Sequence, residues 1–195
     1  MPIRPRRPVL TRFARDERGS GSIETVFMFP LLVSVVLAML VFFDAYRTTS
    51  INVRAAYAIG DILSREKGYV TPEYLDSLAA LQARLIGAGR PHGLRITAFS
   101  FEADDASFAV RWSRTRGEAP GALTDATLAE LRAELPLMAD EAWAILTETW
   151  VSHEPVAALG LEPLSLRSAI VTTPRFAAKL CWNSENDGGP STETC

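Results

Sequence analysis

Gly19 is followed by three residues with small or no side chains, Ser20, Gly21 and Ser22, then by Ile23 and a solitary acid, Glu24, and an apolar run starts at Val26. Small residues leave the backbone of this stretch open to another protein. A carboxylate at the lip of hydrocarbon calls for a cationic partner, because an ionised acid costs about 2.5 kcal/mol or more towards a bilayer centre. Backbone access and ion pairing are therefore the chemistry this segment could support. Glu24 also has a plainer reading, since a helix N-terminus favours an acid through its dipole alone.

Other reactive residue types are sparse. Cys181 and Cys195 are the only cysteines. In an oxidising compartment they could form a bridge adding about 3 kcal/mol by chain entropy. The alternative is a buried Cys181 beside Trp182 and a loose Cys195. His92 and His153 lack H-x-x-x-H or E-x-x-H spacing, so they read as structural or solvated rather than metal ligands. Asp104-Asp105 reads as a solvated turn, and "GAG" at 87–89 as a helix stop, because a phosphate loop would precede its helix. No nucleophile-elbow motif supports a Ser/His/Asp triad. Trp143, Trp150 and Trp182 read as core or sheet-face aromatics. The sequence thus offers no catalytic residue, no metal site and no cofactor.

The elements that must position Glu24 are clearer. Val26 to Phe43 is a run of 18 residues without a charge, broken only by Pro30 and Ser34. As a helix it would be about 27 Å long, close to the roughly 30 Å of a bilayer's hydrocarbon, and it has no polar face. The expected partner is therefore the lipid bilayer. Residues 1–19 carry six arginines against Asp16 and Glu17, a net +4, leaving −7 for the rest of a chain of net charge −3. A basic flank stays cytoplasmic, which places the C-terminal body outside, in a periplasm-like space. The arginines read as a topology signal rather than a nucleic-acid arm. The run is longer than a secretory signal core and lacks a convincing small-residue cleavage site after it.

Beyond the span, Ile51, Ala55, Ala58, Ile59, Ile62 and Leu63 form a stripe, with Arg54, Asp61, Ser64 and Arg65 elsewhere, so one helix could run to about Glu66. Thr71-Pro72-Glu73 reads as the start of a second helix, through about Ile86. "LRITAFSF" and "SFAVRWSR" resemble strands around the tip "EADDA", with Phe108, Val110 and Trp112 alternating against Ala109, Arg111 and Ser113. A short helix capped by Thr124 or Asp125 carries Leu128, Leu131 and Leu135. "AWAILTETWVSHEPV" reads as a long strand, and "SLRSAIVTTPRFAAKLCW" as one or two more, interrupted at Pro174. The expected outline has four parts: a leader (1–19), a helix (20–66, with its span at about 25–43), a head (67–182) and a polar, loop-like tail (183–195). Its class is α+β, with an antiparallel sheet of three to five strands.

The basic leader, Gly19, the glutamate five residues later and the apolar span resemble a class III signal of the prepilin kind. Over "FARDERGSGSIETVFMFPLLV" the chain looks most like the TadE-type minor pseudopilins of the tight-adherence (Tad, or Flp) pilus, with their early proline in the span. The specific resemblance covers residues 13 to about 45; beyond, it is architectural, and Thr25 stands where such signals often have an aromatic residue. The resemblance implies a pilin-like head and a bacterial inner-membrane, single-pass protein with its N-terminus cytoplasmic. It also implies scission of the Gly19–Ser20 bond by a prepilin peptidase and pairing of Glu24 with the Ser20 ammonium of a neighbour. The implied function is structural and non-enzymatic: pilus assembly in adhesion or secretion-like machinery. The implied partners are other pilins or pseudopilins, the assembly platform and the peptidase. The alternative is a permanently anchored periplasmic binding or sensing module.

Overall fold

A computed structural model describes residues 20–87, 89–155, 162–185 and 193–195, with side chains from Glu24 onward. Gly19 and the basic leader lie outside the described residues. The chain divides between Phe43 and Asp44 into two compact units.

The first unit contains the opening of helix α1 (Ser20–Ser64). Nothing from Thr25 to Phe43 is charged, and the large apolar side chains from Val26 to Phe43 are exposed, Val41 apart. So contiguous an apolar surface marks a membrane or partner surface, and the helix is long and apolar enough to cross a bilayer. Pro30 has no N–H to give to the Val26 carbonyl four residues back. The Ser34 hydroxyl donates to the Leu31 carbonyl at 2.7 Å, which uses up a polar group within the helix itself.

In the second unit α1 continues to Ser64 and lies on a four-stranded antiparallel sheet. The strands are β1 (His92–Glu102), β2 (Ser107–Gly117), β3 (Trp143–His153) and β4 (Leu164–Thr172), in the order β2-β1-β3-β4. Helix α2 (Pro72–Ile86) covers the same sheet face. It starts where expected: the Thr71 hydroxyl accepts the Tyr74 N–H, and Pro72 occupies a first-turn position where a missing donor costs nothing. Leu75 and Leu78 of α2, Ile59 and Leu63 of α1, and Leu94, Ile96 and Ile145 of the sheet form one buried cluster. Each such side chain contributes roughly 1.5–3 kcal/mol by leaving water.

The buried stripe of α1 is rotated from the expected one. Asn52, Ala55, Ala56, Ile59, Gly60, Leu63 and Ser64 are buried, while Ile62 is exposed. The reason is close approach. A Cβ on Gly60 would lie 3.1 Å from the Thr172 methyl and 3.7 Å from the Thr147 hydroxyl, so the helix meets the sheet at Gly60 as well as through Ile59 and Leu63.

The expected alternation in β2 also breaks. The register steps from Ala98↔Trp112 to Phe99↔Val110, leaving Arg111 as a bulge. Trp112 therefore packs with the helix-side cluster, whereas Phe108 and Val110 join a second cluster on the opposite face. That face is covered by residues 118–142, which include α3 (Asp125–Glu130) and a 3-10 turn (Arg132–Glu134). Thr124 caps α3, the Asp125 carboxylate accepts the Val110 N–H at 2.6 Å, and Leu128 is fully buried.

The tail is more ordered at its end than a loop. Glu193–Thr194 (β6) pairs antiparallel with Trp182–Asn183 (β5), and Cys181 and Cys195 form a disulfide. Val70 exchanges backbone bonds with this ribbon: its N–H donates to the Cys181 carbonyl at 2.9 Å, and the Asn183 N–H donates to its carbonyl at 3.0 Å. Trp112 Nε1 donates to the Leu180 carbonyl at 2.6 Å, tying the ribbon to β2.

Candidate functional site

The residues singled out at the start of the chain fall at the head of α1. Ser20 is its first residue; Gly19, the other side of the expected scissile bond, lies outside the described residues. Glu24 is exposed one turn in, with no hydrogen-bond or ion-pair partner among the described residues. Thr25, Val26 and Pro30 follow on the same exposed helix, and Phe43 closes the apolar run. Among the described residues, this carboxylate at the start of a bare apolar helix has no partner to offset its desolvation.

Among the described residues, one cluster combines residue types that can ligate a metal. Cys181, Glu193 and Cys195 lie close together, but both sulfurs are consumed by the disulfide and neither is a thiolate ligand. A polar cavity of about 460 Å³ sits by the β1–β2 tip, lined among others by Glu102, Asp104, Asp105, Asp140, Arg111 and Lys179. Its groups are largely committed to structure. Arg111 donates to Ser100 Oγ at 2.9 Å and pairs with Glu102 at 3.1 Å, Asp140 accepts the Ala103 N–H, and Arg111 and Lys179 sit over the Trp143 ring. Asp104 and Asp105 are exposed, as a hairpin tip requires.

Two polar clusters were not legible from spacing, because their members are distant in the chain. On the α3 side of the sheet, fully buried Glu148 receives Arg95 as a two-pronged pair at 2.6 and 2.9 Å, and Arg167 at 2.9–3.0 Å. Arg95 also donates to the Gly121 carbonyl and Arg167 pairs with Glu134, so this triad fastens the covering segment at two points. Planar guanidinium forks suit such bidentate pairing. The Arg95 guanidinium also sits 5.0 Å from the Trp150 ring centre.

The second cluster lies where α1 leaves the apolar run. His153, at the end of β3, is buried; its Nδ1 is 3.4 Å from Thr48 Oγ1 and 4.0 Å from Asp44 Oδ2. Arg90 Nη1 donates to the same Thr48 oxygen at 2.9 Å. A threonine, a histidine and an aspartate invite comparison with an acid–base relay. Thr48 and Asp44 both approach Nδ1, however, so the ring does not bridge a nucleophile to an acid as a relay must. His92, the other histidine, only has its Nδ1 2.9 Å from the Arg90 carbonyl.

At the far end of α1, the Lys67 and Gly68 N–H groups donate to Glu66 Oε1 at 2.9 Å each. The Gly68 bond, followed by Lys67 and Tyr74, holds the Glu66 carboxyl below its ordinary range despite partial burial. Burial first, and the bond to Glu66 second, push the Tyr74 hydroxyl up to about 12.

No family model, curated protein or solved structure matches this chain.

Proposed function

We propose that the chain is a TadE-like minor pseudopilin: a membrane-anchored structural subunit, not an enzyme, that acts in assembly of a Tad-type pilus. The observation that carries this reading is the lone, exposed Glu24 at the head of an apolar helix that runs without a break to Ser64, past the point where it lies on an antiparallel sheet. In this reading a prepilin peptidase removes residues 1–19, and the new ammonium at Ser20 meets Glu24 of an adjacent subunit. That contact offsets the cost of placing the acid in hydrocarbon, provided its geometry is good. The apolar helices then pack side by side, and the heads stand outside the membrane.

The decisive experiment is N-terminal sequencing of the native protein from strains with and without the prepilin peptidase. The mature chain is expected to begin at Ser20 in the first and to keep its leader in the second. An anchored receptor would keep residues 1–19 in both. Glu24→Gln is expected to leave the protein in the membrane but to abolish co-purification with pilus components. Unchanged trimming, association and fibre yield together would rule the reading out.

A further inference from the structure

A cavity of about 340 Å³, lined by Asp44, Gly89, Arg90, Ser152, His153 and Glu154 among others, shares no residue with the Gly19–Glu24 segment used in the proposed trimming and pairing. Its charges are mixed: Arg90 stands with the carboxylates of Asp44 and Glu154. Arg90 uses only Nη1, on Thr48, and has no other partner among the described residues. The Thr48 hydroxyl has one proton, which goes to the Asp44 carbonyl at 2.9 Å. Its oxygen therefore accepts from Arg90 and, at 3.4 Å, from a protonated His153 Nδ1. That tautomer leaves His153 Nε2 as a bare acceptor, buried and without a partner among the described residues. Asp44 is half-buried and Glu154 exposed.

Position narrows the ligand. Asp44 follows Phe43, the last residue of the apolar run, on the same helix, so in a bilayer crossed by that run it falls at headgroup depth. An anionic ligand would find Arg90 but face the carboxylates of Asp44 and Glu154. A cationic one would find the acids but face Arg90. A zwitterion with its two ends a few bonds apart satisfies both. We propose that this cavity binds the phosphoethanolamine headgroup of a phospholipid, with the phosphate on Arg90 and the ammonium between Asp44 and Glu154. A primary ammonium has three N–H donors for these acceptors and a choline headgroup has none, so the carboxylates select between them. The proposal rests on the membrane-anchored reading above.

The test uses the full chain, reconstituted from an equimolar mixture of phosphatidylethanolamine, phosphatidylcholine and phosphatidylglycerol. Flotation reads anchoring, and mass spectrometry of the lipid retained after detergent extraction reads the site. Phosphatidylethanolamine is expected to be enriched about tenfold over each of the others, the ratio of one charge-assisted hydrogen bond. Arg90→Gln, Asp44→Asn and the exposed Glu154→Gln should each lower that ratio, with circular dichroism unchanged; Glu154→Gln keeps the test informative if Asp44→Asn fails to fold. Equal retention of the ethanolamine and choline lipids, or preference for phosphatidylglycerol, would overturn the proposal while leaving anchoring intact. A chain that does not float would overturn both. Free phosphoethanolamine, titrated into the detergent-solubilised protein with His153 ring resonances as readout, is expected to bind weakly. Binding as tight as the lipid's would replace the lipid by a soluble ligand and overturn the proposal as stated.

Discussion

Glu148 has no exposed surface, yet it carries a charge that two arginines share. Taking one partner from such a cluster strands the others, which typically costs about 3–5 kcal/mol. Glu148→Ala is therefore expected to lower the unfolding free energy by about that much in denaturant titrations, while Arg167→Ala, which leaves the Arg95 fork in place, should cost less. A second residue-scale prediction concerns Tyr74. Its hydroxyl titrates at about 12 in the folded protein against an ordinary value of 10. Above pH about 10 the unfolded chain loses a proton that the folded one keeps, so stability falls as pH rises towards about 12. Phenolate absorbance should show one late-titrating tyrosine, and Tyr74→Phe should remove its share of the alkaline slope. At this scale the sequence is legible where chemistry is local. Thr71 capping α2 and the exposed Asp104-Asp105 tip follow from neighbours in the chain. Arg95 and Glu148 stand 53 residues apart, and nothing in either neighbourhood announces the pair.

Among the elements, α1 is bound to the sheet by how closely it can approach. Gly60→Leu would drive a branched side chain into Thr172 and Ile170, and overpacking of this kind costs about 1–3 kcal/mol. Thermal unfolding should show the loss, and Ile62→Ala, on the exposed side, should show little. The same closeness explains why the buried stripe is rotated from the one read in the sequence: Ala55, Ile59 and Leu63 belong to both, but Ala56 and Gly60 turn inward in place of Ala58 and Ile62. In β2 a period of two was present in the residues and was undone by a single inserted position, Arg111. A bulge depends on what the partner strand offers, and that partner is not visible from β2 alone.

For the molecule as a whole, the outline of an apolar helix followed by an α+β head was legible, because a long uncharged run and alternating strands are strong patterns. Strand order was not, since it depends on pairings between distant segments. The closing of the tail onto Val70 and β5 was likewise out of reach, for it joins three parts of the chain through backbone bonds rather than side-chain pattern. The disulfide encloses a short loop, with a sequence separation of 14. Reduction, or Cys195→Ser, is expected to cost about 3 kcal/mol in unfolding experiments. The loss should appear first as faster amide exchange in β5 and at Val70, well before exchange in β1.

The two-sided cover of the sheet has a consequence for tolerance to change. With both faces of the sheet roofed, β1 is buried without interruption from Gly93 to Ser100. Saturation mutagenesis along it should give a plateau of intolerance, not the every-other-residue rhythm of a strand with one wet side. Variation, in the laboratory or over generations, is thereby pushed out to the hairpin tip and the connecting segments, where a side chain can change without asking a neighbour to move.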